Sequence, residues 1–323
     1  MTVTLREVAE VAGVSIATVS RALADVGSVA AETRQRVRRV AKTLGYQPNQ
    51  AARQLVTGRG QAIGLIIPDL QNPFYASVAK GIQYRARAAG LHAIIVDTDD
   101  NADNERFAIA QLLSVVDRLI LASPRIGEGE IQQLAEHHSV VLINREVPAV
   151  SSVVGDNRSG IEQSLSHLTA LGHQAIGYAG GPKTSWSNTD RRTALGTFDF
   201  PTSTHLIDLG SYRISKAGGV AAADAGIAAG VTAIMAFNDQ LALGILGRLT
   251  ERGIRVPQDV SVVGFDDIPV ARLLAPSLTT VAVPMTRIGE TAAGLLINGK
   301  ALSAPKSTVL DVELQVRSST APQ

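Results

Sequence analysis

The sequence predicts an α/β protein with a small all-helical module in front of a core of doubly wound parallel sheets in two lobes. Three observations carry this expectation. Residues 1–48 place apolar side chains at helical spacing around a glycine turn. From Ile63 onward, short apolar runs alternate with amphipathic stretches in two successive series. Net positive charge is confined to the front: the first 60 residues hold nine Lys or Arg against four Asp or Glu, and the other 263 hold 21 against 25. A basic module on an otherwise acidic chain points to an anionic partner for that module alone, and duplex phosphates are the obvious candidate.

The elements follow in order. Thr4 and Glu7 have the spacing of a capping box, which satisfies free amides at a helix start. Leu5, Val8, Ala9 and Ala12 then share one face. Gly13 can end this helix and Ser15 can cap the next. On the second helix Ile16, Val19 and Leu23 are expected inward, with Ala17, Thr18, Ser20 and Arg21 outward. This is the layout of a helix-turn-helix, whose second helix enters the major groove. A third helix over Glu32–Leu44 buries Val37, Val40, Ala41 and Leu44 and turns Arg34, Arg36, Arg38, Arg39 and Lys42 outward. Asn49–Val56 is too short to hold as a helix alone, and Thr57–Gly60 reads as a tether.

Beyond the tether, strands are expected at Ile63–Ile67, His92–Val96, Arg118–Ala122, Val140–Ile143 and Val153–Gly155. Helices near Ala76–Ala89, Asn104–Leu112 and Glu130–His137 separate them. The second series runs from a helix at Ser159–Leu171 through strands Ala175–Ala179, Leu206–Leu209, Ala233–Ala236 and Ser261–Phe265, with helices at Ser215–Ala229 and Gln240–Arg252. Short buried strands alternating with helices predict parallel sheets. Ligands are then expected at the carboxyl ends of the strands.

Several function classes are set aside. With no cysteine there is no thiolate site, and the six histidines show no ligand spacing, so no metal is expected. No apolar run reaches membrane-spanning length, and the N-terminus lacks the apolar stretch of a signal peptide, so a cytoplasmic protein is expected. Gly58, Gly60 and Gly64 approach a dinucleotide fingerprint but precede a strand, leaving a phosphate no helix N-terminus. No catalytic constellation is found, and neither an enzyme nor a cofactor is expected.

Taken together, Thr4-Leu5, Val8-Ala9, Ala12–Ser15, Thr18–Arg21, Thr33-Arg34, Gly45-Tyr46-x-Pro48-Asn49 and Ala52-Arg53-x-Leu55 resemble the DNA-binding headpiece of the LacI–GalR repressor family. The resemblance continues through Ile63–Pro68, Asn72–Phe74, Leu171–His173, Phe237–Asp239, Val262–Asp267 and Pro276–Val281, nearly the whole chain. It implies a headpiece over 1–48, a hinge helix and linker over 49–60, and a periplasmic-binding-protein-like core over 61–323. Lobe 1 is expected over about 61–157 and 286–308, and lobe 2 over about 158–285 and 309–323, with three crossings between them. The chain departs from the family pattern at Gly196–Thr204, where Pro201 and β-branched residues argue against a full helix and the segment is short.

The resemblance places Ile16, Ala17 and Arg21 at base-contacting positions. Thr4, Ser15, Thr18, Ser20, Thr33, Tyr46 and Asn49 are candidate phosphate contacts. Ala24 and Ala30 stand where the family often has polar residues. In the hinge, Ala52 and Leu55 belong to the DNA element, with Leu55 as a minor-groove wedge. The implied protein is a homodimer on a pseudo-palindromic operator. It is expected to act as a transcriptional regulator, a repressor, controlled by a small molecule. With no leucine heptad at the C-terminus, tetramerisation through an appended helix is not expected. For the effector, Asn72, Phe74, Asp156, Trp186, Asn188, Arg192, Tyr212, Asn238 and Asp266 are the candidate contacts. Their mixture of amides, carboxylates, one arginine and aromatic faces suits a sugar. The alternative is a corepressor-dependent regulator that binds a purine or phosphorylated metabolite.

Overall fold

The computed structural model describes residues 3–24, 29–46, 62–299 and 305–323. The chain divides into two compact units, Met1–Arg59 and Gly60–Gln323. In the first, helices α1 (Leu5–Ala12), α2 (Ile16–Ala24) and α3 (Ala31–Leu44) enclose a small core of Val8, Ala9, Ala12, Val19, Ala22, Val37 and Ala41. Thr4 starts α1 by the expected capping box: its Oγ1 accepts from Glu7 N, and its own N donates to Glu7 Oε2 at 2.6 Å. Gly13 ends α1 at φ +64°, a left-handed angle that glycine adopts without Cβ strain. One sequence expectation is corrected. Ile16 does not pack inward; it is 45% exposed, and Val19 and Ala22 supply the buried side of α2.

The second unit holds two six-stranded sheets. The first contains β1 (Ala62–Ile67), β2 (His92–Asp97), β3 (Arg118–Ala122), β4 (Ser139–Ile143), β5 (Ser151–Gly155) and β11 (Ser307–Leu310), in the order β11-β5-β4-β3-β1-β2, all parallel. The second contains β6 (Ala175–Gly180), β7 (His205–Ser211), β8 (Ala233–Ala236), β9 (Ser261–Asp266), β10 (Thr279–Ala282) and β12 (Glu313–Gln315), in the order β12-β10-β9-β8-β6-β7. Only its β12 edge is antiparallel. The two sheets repeat one topology, with the strand order reversing around β1 and around β6. Helices α4 (Pro73–Ala88), α5 (Ala102–Leu113), α6 (Glu128–His137) and α11 (Met285–Ile297) belong to lobe 1. Helices α7 (Asn157–Ala170), α8 (Trp186–Thr197), α9 (Lys216–Ala228) and α10 (Asp239–Glu251) belong to lobe 2. The chain passes from lobe 1 to lobe 2 after β5, returns after β10 and crosses again between β11 and β12.

Several helices begin earlier than their apolar periodicity implies, because caps rather than core residues set the start. α4 begins at Pro73, since Asn72 Oδ1 accepts from Phe74 N at 3.0 Å and proline needs no amide partner there. α5 begins at Ala102 under Asn101, and α7 at Asn157 under Asp156. At the departure from the family pattern, α8 stops at Thr197 and β7 starts at His205, as Pro201 led us to expect.

The lobe cores are apolar strands under these helices. One cluster joins Ile63, Ile120 and Ile143 of lobe 1 to Ile176, Phe265 and Val281 of lobe 2, so the floor between the lobes is continuous. α4 and α11 touch backbone to backbone: a Cβ on Gly81 would lie 2.0 Å from Thr286 O, and one on Gly289 2.1 Å from Val78 O.

Candidate functional site

The helical unit presents one candidate surface. Ser15 precedes α2 and caps it, its Oγ accepting from Thr18 N at 3.1 Å and lying 2.8 Å from Thr18 Oγ1. Ser15, Ile16, Ala17 and Arg21 are exposed, and Thr18 and Ser20 half-exposed. Arg21 folds back, Nε donating to Ala17 O at 3.1 Å, so it is poised along the helix. Thr4 is exposed at the start of α1, with both polar groups engaged by Glu7. The hydrogen bond from the Thr4 backbone amide, and after it the one from the Thr4 hydroxyl, hold the Glu7 carboxyl below the usual carboxylate range. Thr33 and Tyr46 are half-buried, Tyr46 packing on the small core. Ala30, at the start of α3, offers no side-chain cap. Asn49, Ala52 and Leu55 lie outside the described residues, as does the side chain of Ala24.

The second candidate lies between the lobes, where strand ends converge. A narrow cleft is lined from lobe 1 by Asn72, Phe74, Tyr75, Ser123, Arg125 and Asn144. From lobe 2 come Ser185, Ser187, Arg191, Ile214, Phe237, Asn238 and Asp266. Ser123, Asn144 and Asp266 have φ of +49°, +54° and +121°, directly after or at the ends of β3, β4 and β9. Three non-glycine residues held at left-handed angles around one cleft mark a site where the scaffold maintains backbone strain.

Arg191 and Asp266 dominate the chemistry. Arg191 is buried, its Nε donating to Asn157 Oδ1 at 2.8 Å and its Nη1 to Phe237 O. Its guanidinium lies 3.5 Å from the centre of the Phe265 ring and 4.7 Å from that of Phe237. Burial pulls its pKa down, countered by Asp266 and more distant acids. Burial also pushes the Asp266 carboxyl up to about 7, against the opposing pull of Arg191 and a hydrogen bond with Asn238. Behind it, Asp239 is raised well above the usual range by burial and by Asp266. Asp239 accepts from Thr280 Oγ1 at 2.5 Å and from Ile268 N at 2.8 Å, which pins the turn after β9.

Four sequence candidates thus meet in one cleft: Asn72, Phe74, Asn238 and Asp266. Asn238 also caps α10, accepting from Leu241 N at 3.0 Å. The other five do not line it. Arg192 lies off the cleft, and its neighbour Arg191 lines it. α8 begins at Trp186, and its inward positions are 187, 188, 191, 194 and 195, so Arg192 turns outward. There it forms a two-pronged bond with Asp208 at 2.8 and 2.9 Å. Asn188 sits beneath the cleft floor, its Oδ1 accepting from Gly181 N at 3.0 Å and from Tyr178 OH. Asp156 caps α7 through Ser159 N. Tyr212 donates its hydroxyl to Leu209 O, closing its own turn. Trp186 is a half-buried first residue of α8. The cleft residues missed were Tyr75, Ser123, Arg125, Asn144, Ser185, Ser187, Arg191, Ile214 and Phe237. The strand-end rule that found Asn72 and Asn238 reaches Ser123, Arg125 and Asn144 when applied after β3 and β4.

Residues 4–49 match the bacterial regulatory proteins of the lacI family, and residues 165–320 the periplasmic binding protein-like domain. The chain is 34% identical to the HTH-type transcriptional regulator DegA of Bacillus subtilis, covering 100% of this chain and 99% of that protein. It belongs to the LacI–GalR family. Among solved structures of the family, the lac repressor dimer bound to operator and the anti-inducer ONPF is similar with a TM-score of 0.86 and 27% identity, covering 99% of this chain and 100% of that one. A LacI family transcriptional regulator from Enterococcus faecium with bound ribose is similar at a TM-score of 0.70 and 27% identity, over 81% of this chain and 99% of that one. The helical unit and the two-lobed core are therefore those of a DNA-binding transcriptional regulator of the LacI–GalR family. Among the described residues no helix is long and apolar enough to cross a membrane.

Proposed function

We propose that this chain represses transcription as a homodimer on a pseudo-palindromic operator, and that a sugar held between its lobes relieves the repression. The observation that carries the effector half is the convergence of Asn72, Asn144, Arg191, Asn238 and Asp266 on one cleft at the strand ends. Amides and a carboxylate beside a guanidinium offer the paired donors and acceptors that vicinal hydroxyls need, and Phe74 and Phe237 offer apolar faces. The ribose-bound relative from Enterococcus faecium supports the same reading. The protein is read as a cytoplasmic binding protein without catalytic chemistry.

On DNA, Arg21 is assigned to a guanine edge and Ile16 and Ala17 to thymine methyls. Ser15, Thr18, Ser20, Thr4, Thr33, Tyr46 and Asn49 position the headpiece on phosphates. Ala52 and Leu55 act in the minor groove. Coupling between cleft and operator is reciprocal: the sugar weakens operator binding by the factor by which operator weakens sugar binding. Fluorescence anisotropy on a selected operator, with and without the sugar that most stabilises the protein, tests this. Lower operator affinity with sugar is expected. Tighter binding with sugar would make the ligand a corepressor, and stabilisation by purines alone would sink the sugar assignment.

A further inference from the structure

The effector cleft does not end at Asp266 and Asn238. A second compartment adjoins it, sharing Asn72, Tyr75, Arg125 and Ile214 as a common wall. Its remaining charged lining is Asp69, Asp99 and Asp100 from lobe 1 and Arg213 from lobe 2. Arg125 stands at the junction with its side chain only 6% exposed. Its Nε donates to Asp100 Oδ1 at 2.7 Å and its Nη1 to Ser123 O at 2.9 Å, and no described group accepts from Nη2. Arg213 Nη2 reaches across the mouth to Asp99 Oδ1 at 3.0 Å, joining the lobes 114 residues apart in sequence. That pair is exposed (69% and 82%), so it opens at little cost.

We infer that this outer compartment is a second sugar subsite and that the effector is a neutral glycoside of disaccharide size. The inference rests on the effector reading above. Each guanidinium here is already matched by a carboxylate, and Asp69 adds a further acid, so the compartment has no positive surplus with which to hold an anion. Closely spaced acceptors and donors instead suit the hydroxyls of a second ring. Arg125 stands on the wall that both rings would share, and the Asp99–Arg213 pair spans the outer one.

The test uses the full chain in thermal scans and calorimetric titrations. The monosaccharides are ribose, glucose and galactose; the disaccharides are maltose, cellobiose, lactose, sucrose and trehalose; glucose 6-phosphate is the anionic probe. The best disaccharide is expected to bind about tenfold or more tighter than any monosaccharide. Asp99→Ala and Arg213→Ala are each expected to lower disaccharide affinity by about two- to tenfold, the loss of one modest hydrogen bond, and to do so selectively against the monosaccharides. A monosaccharide that binds as tightly as every disaccharide overturns the second subsite, and so does a disaccharide indifferent to both substitutions. Preference for glucose 6-phosphate overturns the neutral class. If no compound in the panel binds, the effector reading itself fails, not the subsite alone.

Discussion

Replacing Arg191 and Arg192 one at a time by methionine separates the two sides of α8. Methionine keeps an unbranched apolar stem and removes the guanidinium. A charge-assisted hydrogen bond contributes about 1.5–3 kcal/mol, so losing one to a ligand hydroxyl lowers effector affinity about 10- to 150-fold. Arg191→Met takes that donor from the cleft wall. It also strands the acceptors Asn157 Oδ1 and Phe237 O while relieving the desolvation of a buried cation. Those two effects oppose each other at a few kcal/mol each, so melting temperature is the wrong readout for this variant. Arg192→Met removes a pair whose side chains are 31% and 60% exposed, for which solvent screening leaves about 1 kcal/mol or less. Its expected signature is a fall of about 2–4 °C in Tm with effector affinity changed by less than about threefold. Calorimetric titration with the sugar that most stabilises the wild type, followed by operator binding with and without that sugar, reads both variants. Normal titration by Arg191→Met together with a lost response in Arg192→Met would refute the assigned helix phase.

Three further outcomes are expected. Gly81→Ala puts a methyl against Thr286 O with no flexible side chain to yield, and should cost about 3 kcal/mol; an unchanged melting curve would show that α4 and α11 are not in backbone contact. Because the Asp266 pKa is raised from about 3.8 to about 7, the folded core holds a proton that the unfolded chain releases. Its contribution is complete below about pH 4 and is lost as pH rises towards 7, about 2–3 kcal/mol between pH 5 and 8. Denaturant titrations of wild type and Asp266→Asn should differ by that slope, and parallel pH profiles would contradict it. Leu55→Ala, which removes the assigned wedge, should lower operator affinity about tenfold or more while sugar binding stays intact. Undiminished operator affinity would leave Leu55 a plain linker residue.

Some of the cleft was readable before any fold was known. Asn72, Phe74, Asn238 and Asp266 follow or end apolar strands, and in a parallel sheet such positions gather at one edge whatever the details. The aromatic and charged choices fared differently. Trp186 and Tyr212 have the right chemistry for a sugar face, but Tyr212 is spent on Leu209 O and neither lines the cleft. Arg191 and Arg192 are neighbours of identical type, and nothing local distinguishes them. One residue along a helix is a turn of about 100°, and only the packing of Ser187, Asn188, Ala194 and Leu195 decides which arginine faces in.

By itself, then, the sequence determined what short-range physics controls. Thr4 with Glu7 starts α1, Gly13 ends it, and a change of apolar period after the tether announces two α/β lobes. The family likeness was equally legible, since it lies in residue identities. Tertiary structure alone decided what depends on separation through space. It brought Asp99 to Arg213 and Arg125 to Asp100, and it buried Asp266 beside Arg191 deeply enough to move its pKa. It also turned Ile16 to solvent, because Val19 and Ala22 already fill the space beneath α2. The direction of a side chain and the dielectric around it are set by everything packed against it, and those neighbours come from segments far apart along the chain.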